Sequence, residues 1–455
     1  MARDAVELRV QSDPNALATY YPFVVSAGYR TKPGTIGFQP SYDLPPLDDR
    51  LTSFFAASGL AAAELEPYRG RTLRLLNLMR NPRTRTTKTI GSLTIVARAI
   101  RHIRDSGRRL MIVTPTSGNK GTALRDAVLR AYECGLVGPD ELRITTIVPR
   151  ESVDKLWSST LAEDAALRRV NPVLLYRGAD PEGVKAIART VVEAHGREVS
   201  ERFGVDLWYT LELGNYRVAD AIRAAFEADR FPADPDYERV HAHAVSSAYG
   251  LLGYELGYRM LFEHGDAPSR HPSFFVVQHL AVPDMVMSLR YGEVGAEARP
   301  RYHHDSDTGL YVQEEDPAFP STTYDPFESI DSTFYSKQPA TSSELNALVH
   351  SHGGDGIVVS LYECLQRYGE VRRELEPADV SLPADPRRLR EWALVMVMTG
   401  VLNAIDRDLI AERADVVIHA SGSYGVDDFS PLVPEHTIVI DDAATASDVV
   451  VHAAQ

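Results

Sequence analysis

The sequence predicts an α/β protein built from two open, mostly parallel-sheet subdomains, and three observations point to it. Short continuous apolar runs such as Leu110–Val113 and Val173–Tyr176 have the character of buried parallel strands. Longer stretches place apolar residues at helical spacings, as at Ile90, Leu93, Val96, Ile100 and Ile103. These two patterns alternate along the chain, which is the signature of βαβ units. With 455 residues, 44% hydrophobic and 24% charged, the chain is long enough for two such units.

Residues 1–70 read as an N-terminal arm laid over the body or over a partner subunit. Pro14, Pro22, Pro33, Pro40, Pro45 and Pro46 interrupt any regular element, and a helical patch starts only near Leu51. Residues 71–205 form the first α/β subdomain. Lys88 opens a long helix that ends at the basic, glycine-containing segment Arg104–Arg109, and the strand Leu110–Val113 follows. A loop of small polar residues, Thr114–Gly121, leads into a helix over Thr122–Tyr132. Arg143–Val148 is a strand, Val153–Ala162 a helix, Val173–Tyr176 a strand and Gly183–Phe203 a helix.

Residues 206–455 form the second, larger α/β subdomain. Asp206–Leu211 reads as a strand and a helix starts at Gly214. Then come a strand at Val240–Val245, a loop at Ser246–Gly250 and a helix from about Leu251. Phe274–Gln278 is the next core strand. The pattern weakens over 291–351, where prolines, histidines and acidic residues interleave, so that stretch reads as an insertion or lid. Regularity returns with a strand at Gly356–Ser360, a helix at Leu361–Glu374 and an apolar packing helix at Leu389–Ile405. Asp415–His419 is the last convincing strand before the loop Ala420–Gly425.

Within this order, Asn81–Thr122 holds a lysine at a helix start and, one helix and one strand later, the loop Thr116-Ser117-Gly118-Asn119-Lys120. Taken alone, such a lysine is a solvated surface residue and such a loop is an ordinary turn capped by Ser117 or Asn119. The loop Ser246-Ser247-Ala248-Tyr249-Gly250 has small residues that let backbone approach a phosphate, at a helix start whose free amides point toward an anion. Gly250, Gly253 and Gly257 do not fit GxGxxG, and no GxxxxGK[ST] loop occurs.

Together these stretches resemble the pyridoxal-phosphate (PLP) enzymes of the tryptophan synthase β-like fold (fold type II), which include cysteine synthase, threonine synthase and serine/threonine dehydratase. Asn81-Pro82 before Lys88 and Ser117-Gly118-Asn119 after it carry the likeness, with the 246–250 loop and the Ser421 loop downstream. The resemblance implies two α/β subdomains with PLP between them, Lys88 as the Schiff-base lysine and a homodimer. It implies that Ser246, Ser247, Ala248, Tyr249 and Gly250 hold the phosphate, and that Ser421 meets the pyridine nitrogen. Thr116, Ser117, Gly118 and Asn119 would hold the substrate α-carboxylate, with Asn119 also reaching the cofactor's phenolic oxygen. Lys120 stands where threonine or histidine is commoner; it either answers an extra negative charge on the substrate or is simply exposed. The implied reaction is PLP-dependent β-elimination or β-replacement on an amino acid, in a specialised pathway. The alternatives are γ-elimination or γ-replacement, as in threonine synthase, and a catalytically silent binder of PLP or an amino acid.

Charge and motif content narrow the rest. A net charge of −15 argues against nucleic acid or anionic membrane as a partner. Two cysteines, Cys134 and Cys364, with no apolar leader or span, suggest the cytoplasm. No GxSxG elbow occurs. His303-His304-Asp305 reads as a polar loop, because a metal site needs a second spaced cluster, so no metal is expected. His241 and His243 read as packing or supporting groups, and Arg83 and Arg85 as solvated side chains or binders of a substrate anion. Only six lysines occur, at 32, 88, 120, 155, 185 and 337.

Overall fold

The computed structural model describes residues 10–32, 34–266 and 270–455; residues 1–9 of the expected arm, and Pro33 within it, lie outside these. Among the described residues, the strands form two large sheets. In chain order they begin with β1 (Gln11–Asp13), β2 (Leu60–Glu64), β3 (Thr72–Asn77), β4 (Arg109–Pro115) and β5 (Leu142–Pro149). They continue with β6 (Val173–Tyr176), β7 (Val205–Tyr209), β8 (Glu238–Ala244) and β9 (Ser273–His279). The seven-stranded sheet runs β1-β2-β3, then the strand Ala414–Ala420, then β8, β9 and the strand Gly354–Val359. The five-stranded sheet runs from the strand Ile438–Ile440 through β6, β5 and β4 to β7. Within these two sheets, among the described residues, the pairings are parallel except β1 with β2 and β2 with β3.

The parallel strands are covered on both faces, which explains their unbroken apolar runs. Leu110, Met111, Ile112 and Val113 of β4 are fully buried, as are Val416, Val417 and Ile418 at the centre of the large sheet. The helix Lys88–Ser106 carries the chain from β3 in the large sheet to β4 in the small one. It ends as expected, at Gly107 in the left-handed conformation (φ 66°), whose amide closes on the Ile103 carbonyl.

Several sequence expectations are corrected. The described part of the arm is part of this chain's own body: Leu17, Val24, Leu51, Phe54 and Phe55 are buried in its core, and β1 and β2 edge the large sheet. The sheets do not divide at 70 and 205, because β3 joins the large sheet while Ile438–Ile440 returns to the small one. Val153–Ala162 is not one helix; a 3-10 turn at Arg150–Lys155 and a short helix at Thr160–Glu163 replace it. The helix expected from Leu389 starts at Ala393, because Leu389–Glu391 is a short strand paired antiparallel with Tyr424–Gly425. Asn119 and Lys120 form the first turn of the helix Asn119–Glu133, and the helix expected from Leu251 begins at Tyr249 and runs to His264.

Candidate functional site

The C-terminal ends of β3, β4, β8 and Ala414–Ala420 open on one cavity of about 370 Å³, the place where open parallel sheets bind ligands. Four stretches far apart in the chain meet there: Lys88, the Thr116–Lys120 loop, Ser246–Gly250 and Ser421 all line it, Gly118 excepted.

Lys88 is set by the pairing of β3 with Ala414–Ala420. Past the ends of these strands the two loops cross: the Thr87 amide donates to the Ser421 carbonyl at 2.8 Å, and Thr86 bridges to Gly422. Asn81 anchors the same loop by donating to Asp126 at 2.9 Å and accepting from Arg130 at 2.9 Å. One turn beyond Lys88, Gly91 makes room for Tyr216; a Cβ there would lie 2.9 Å from the ring, and Lys88 Nζ sits 5.8 Å from its centroid. Among the described residues no carboxylate pairs with Lys88. Burial lowers its pKa, and the Arg223 charge adds to this against the opposing pull of Asp220.

The 116–120 loop is folded around its own hydroxyl. Thr116 Oγ1 accepts from the amides of Gly118 at 3.0 Å and Gly121 at 2.8 Å. Gly118 has φ 117°, and a Cβ on it would come 2.7 Å from Lys155 Cβ, so this position requires glycine. Gly118 thus shapes the loop from behind the wall. Ser117 Oγ donates to the Thr333 carbonyl at 3.3 Å. The Asn119 side chain is already engaged: its amide donates to Glu391 Oε2 at 2.6 Å, and its oxygen accepts from Tyr424 OH at 2.8 Å. That leaves its second N–H and one lone pair of its oxygen uncommitted. Lys120 is buried, which removes the exposed reading, and its amine has no hydrogen-bond partner among the described residues.

At the third stretch, Ala248 adopts a left-handed conformation (φ 50°) and caps the helix Tyr249–His264. The glycines at 250, 253 and 257 serve close packing. A Cβ would lie 2.5 Å from the Arg223 guanidinium at 250, 2.4 Å from Asp220 Cβ at 253 and 2.2 Å from the Ala221 carbonyl at 257. Arg223, fully buried, donates to Asp220 at 2.6 Å, to Thr87 Oγ1 at 2.7 Å and contacts His419 Nδ1 at 3.0 Å. It places a fixed positive charge between the 246–250 loop and the start of the Lys88 helix.

Sequence reasoning missed several lining residues. Thr333–Thr341, from within the expected insertion, walls the cavity, and Thr341 Oγ1 donates to the Ser247 carbonyl at 2.7 Å. Glu391, read as helix interior, meets Asn119 and Lys155. Lys185, Asp220 and Arg223 also line the cavity, as does His243, whose pKa burial and then Arg223 push down to about 3. The scarcity of lysine was a usable signal for Lys185; Arg223 sits in an ordinary amphipathic helix and carried none. Arg83 and Arg85 lie outside the cavity lining, paired with Glu133 and Asp428 respectively. His303 and His304 are exposed on a short strand. Among the described residues, no helix is long and apolar enough to cross a membrane.

A sequence family described as of unknown function, DUF6002, matches residues 13–454. No curated protein matches the chain. Among solved structures, the chain is similar to PLP-bound threonine synthase from Brucella melitensis, with 13% identity, 86% of this chain and 80% of that one covered, and a TM-score of 0.48. It is also similar to a fungal L-serine ammonia-lyase from Rhizomucor miehei, with 14% identity, 81% and 91% coverage, and a TM-score of 0.47. A third is the processed form of threonine deaminase isoform 2 from Solanum lycopersicum, with 11% identity, 94% and 97% coverage, and a TM-score of 0.44.

Proposed function

The chain belongs to the DUF6002 family of unknown function, and we propose that it is a PLP-dependent enzyme that catalyses β-elimination or β-replacement on an amino acid. The observation that carries this reading is the convergence of Lys88, Thr116–Lys120, Ser246–Gly250 and Ser421 on one cavity. The donor set suits the cofactor. Lys88 is an amine kept from holding its proton tightly, with no carboxylate partner among the described residues. The 246–250 loop offers the amides of a helix start to a phosphate, with the Arg223 guanidinium packed against Gly250. Ser421 supplies a hydroxyl suited to a neutral pyridine nitrogen.

When bound, PLP would draw electrons from the substrate's α-carbon and make its C–H bond acidic. The loop Thr116–Asn119 would hold the α-carboxylate with the Thr116 hydroxyl proton and the helix-start amides that its own turn leaves open. Lys88 Nζ is the base that removes the α-proton, a role its lowered pKa favours. A hydroxyl at 421 could hydrogen-bond a pyridine nitrogen but would not hold it protonated as a carboxylate does, which would favour loss of a β substituent over transamination. Asn119, held by Glu391 and Tyr424, keeps the loop in register with the opposite wall.

The test is the visible absorption spectrum of the purified chain with added PLP, before and after borohydride, beside Lys88→Ala. We expect a band that borohydride abolishes and Lys88→Ala lacks, and solvent deuterium entering an amino acid at the α position. No band overturns the reading. A band without α exchange in any amino acid leaves a silent binder, and exchange at the β carbon as well points to γ chemistry.

A further inference from the structure

Six lysines occur in 455 residues, and four of them, Lys88, Lys120, Lys185 and Lys337, line this one cavity. Its carboxylates do not balance them. Asp220 is held by Arg223, and Glu391 by Lys155 and Asn119. Lys185 pairs with Glu182, contacts Ser336 Oγ at 3.2 Å and lies 4.9 Å from the centre of the Tyr335 ring. Lys120 is the exception. Its amine is buried without any hydrogen-bond partner among the described residues, an arrangement that costs stability unless a ligand completes it.

The bound groups of the proposed reaction leave this amine unanswered. The α-carboxylate is served by the neutral donors of Thr116–Asn119, and the cofactor's phosphate by the 246–250 loop and Arg223. In that reading Lys88 would hold the cofactor and is not free to serve a further anion. Building on that reading, we propose that Lys120, assisted by Lys185, forms a subsite for a second acidic group on the substrate. The substrate is then an amino acid whose side chain carries a carboxylate or a phosphate. Burial, followed by the charges of Lys88 and Lys185, holds the Lys120 pKa well below its ordinary value, and an arriving anion reverses this by pairing with the ammonium. The same discharge of repulsion disfavours any substrate with a cationic side chain.

The experiment titrates the PLP-loaded full chain with L-aspartate, O-phospho-L-serine and L-alanine, following the visible spectrum and the heat of binding. One charge-assisted hydrogen bond is worth about tenfold in affinity, so both acidic amino acids should bind at least that much more tightly than L-alanine. The preferred member of the pair identifies carboxylate or phosphate. Lys120→Met should erase most of that preference, and the half-exposed Lys185→Met, which leaves the buried wall intact, should reduce it. Equal affinity for all three ligands overturns the subsite. So does a Lys120→Met chain that loses L-alanine equally, which would place the lysine on the α-carboxylate, or one that loses PLP, which would place it on the phosphate. Failure to take up PLP at all overturns the reading beneath it as well, so the two failures are distinct.

Discussion

Lys155 is shared between two buried carboxylates, and the shares are unequal. Its amine lies 2.5 Å from Asp331 and 3.2 Å from Glu391. Asp331 also accepts from the amides of Thr333 and Trp392, both at 2.9 Å. Burial works against its charge, but Lys155 and these amides overcome it and hold Asp331 below its ordinary pKa. Glu391 is raised instead, by burial and then by repulsion from Asp331. The ionised partner that matters is therefore Asp331. We expect Asp331→Asn to cost about 3–5 kcal/mol, as breaking a buried pair does, and Glu391→Gln to cost about 1 kcal/mol because it also relieves repulsion. Urea unfolding of both variants checks the order, and the reverse order refutes this division of charge.

At the scale of elements, the helix Tyr249–His264 lies close against the helices Leu213–Asp220 and Ile222–Arg230, and glycine makes the approach possible. In an exposed helix, glycine to alanine gains up to ~1 kcal/mol. At Gly253 the added methyl would stand 2.4 Å from Asp220 Cβ, and backbone cannot yield cheaply there. Gly253→Ala should thus lose about 1–3 kcal/mol and, by shifting the Asp220–Arg223 pair, weaken PLP retention. Gly196→Ala, in the helix Gly183–Phe203 with nothing within 4 Å of its Cβ, should move stability in the opposite direction. Thermal unfolding of the pair decides it; equal signs would show that the close approach carries no cost.

Across the whole molecule, a line of buried polar groups runs from the cavity through the large sheet. Arg223 contacts His419, His419 Nε2 lies 2.9 Å from His241 Nδ1, and His241 Nε2 lies 3.3 Å from Glu227, which accepts from Arg239 at 2.7 Å. Burial, then the neighbouring cationic and imidazole groups, keeps His241, His243 and His419 from protonating in the fold. The unfolded chain takes up these protons below pH 6.5, so this stability is present above 6.5 and is lost as pH falls. Glu227 opposes the trend. Burial raises it from 4.5 to about 7, so between those values the fold holds a proton the unfolded chain has released, and stability from this group falls as pH rises. We expect urea stability to drop from pH 7 to pH 5, and Glu227→Gln to steepen the drop by up to about 1.4 kcal/mol per pH unit. An unchanged slope in the variant would show that Glu227 does not hold that proton.

The sequence by itself determined the α/β alternation, the helix that Lys88 opens and the order of the polar loops, because these depend on hydrophobic periodicity and on local turn chemistry within a few residues. It also marked Lys120 as unusual, but could not choose between an exposed and a buried amine. Only the tertiary structure decided that choice, along with the true start of the helix at Ala393, the passage of β3 into the large sheet and the meeting of Glu391, Lys185 and Arg223 at the cavity. The physical reason is common to all of them. Leu389, Arg390 and Glu391 are all good helix formers, yet Tyr424–Gly425, far along the chain, claims their backbone as a strand partner, Leu389 opposite Gly425 and Glu391 opposite Tyr424. Burial and charge pairing between distant segments are properties of the packed chain, and no local window contains the partner that sets them.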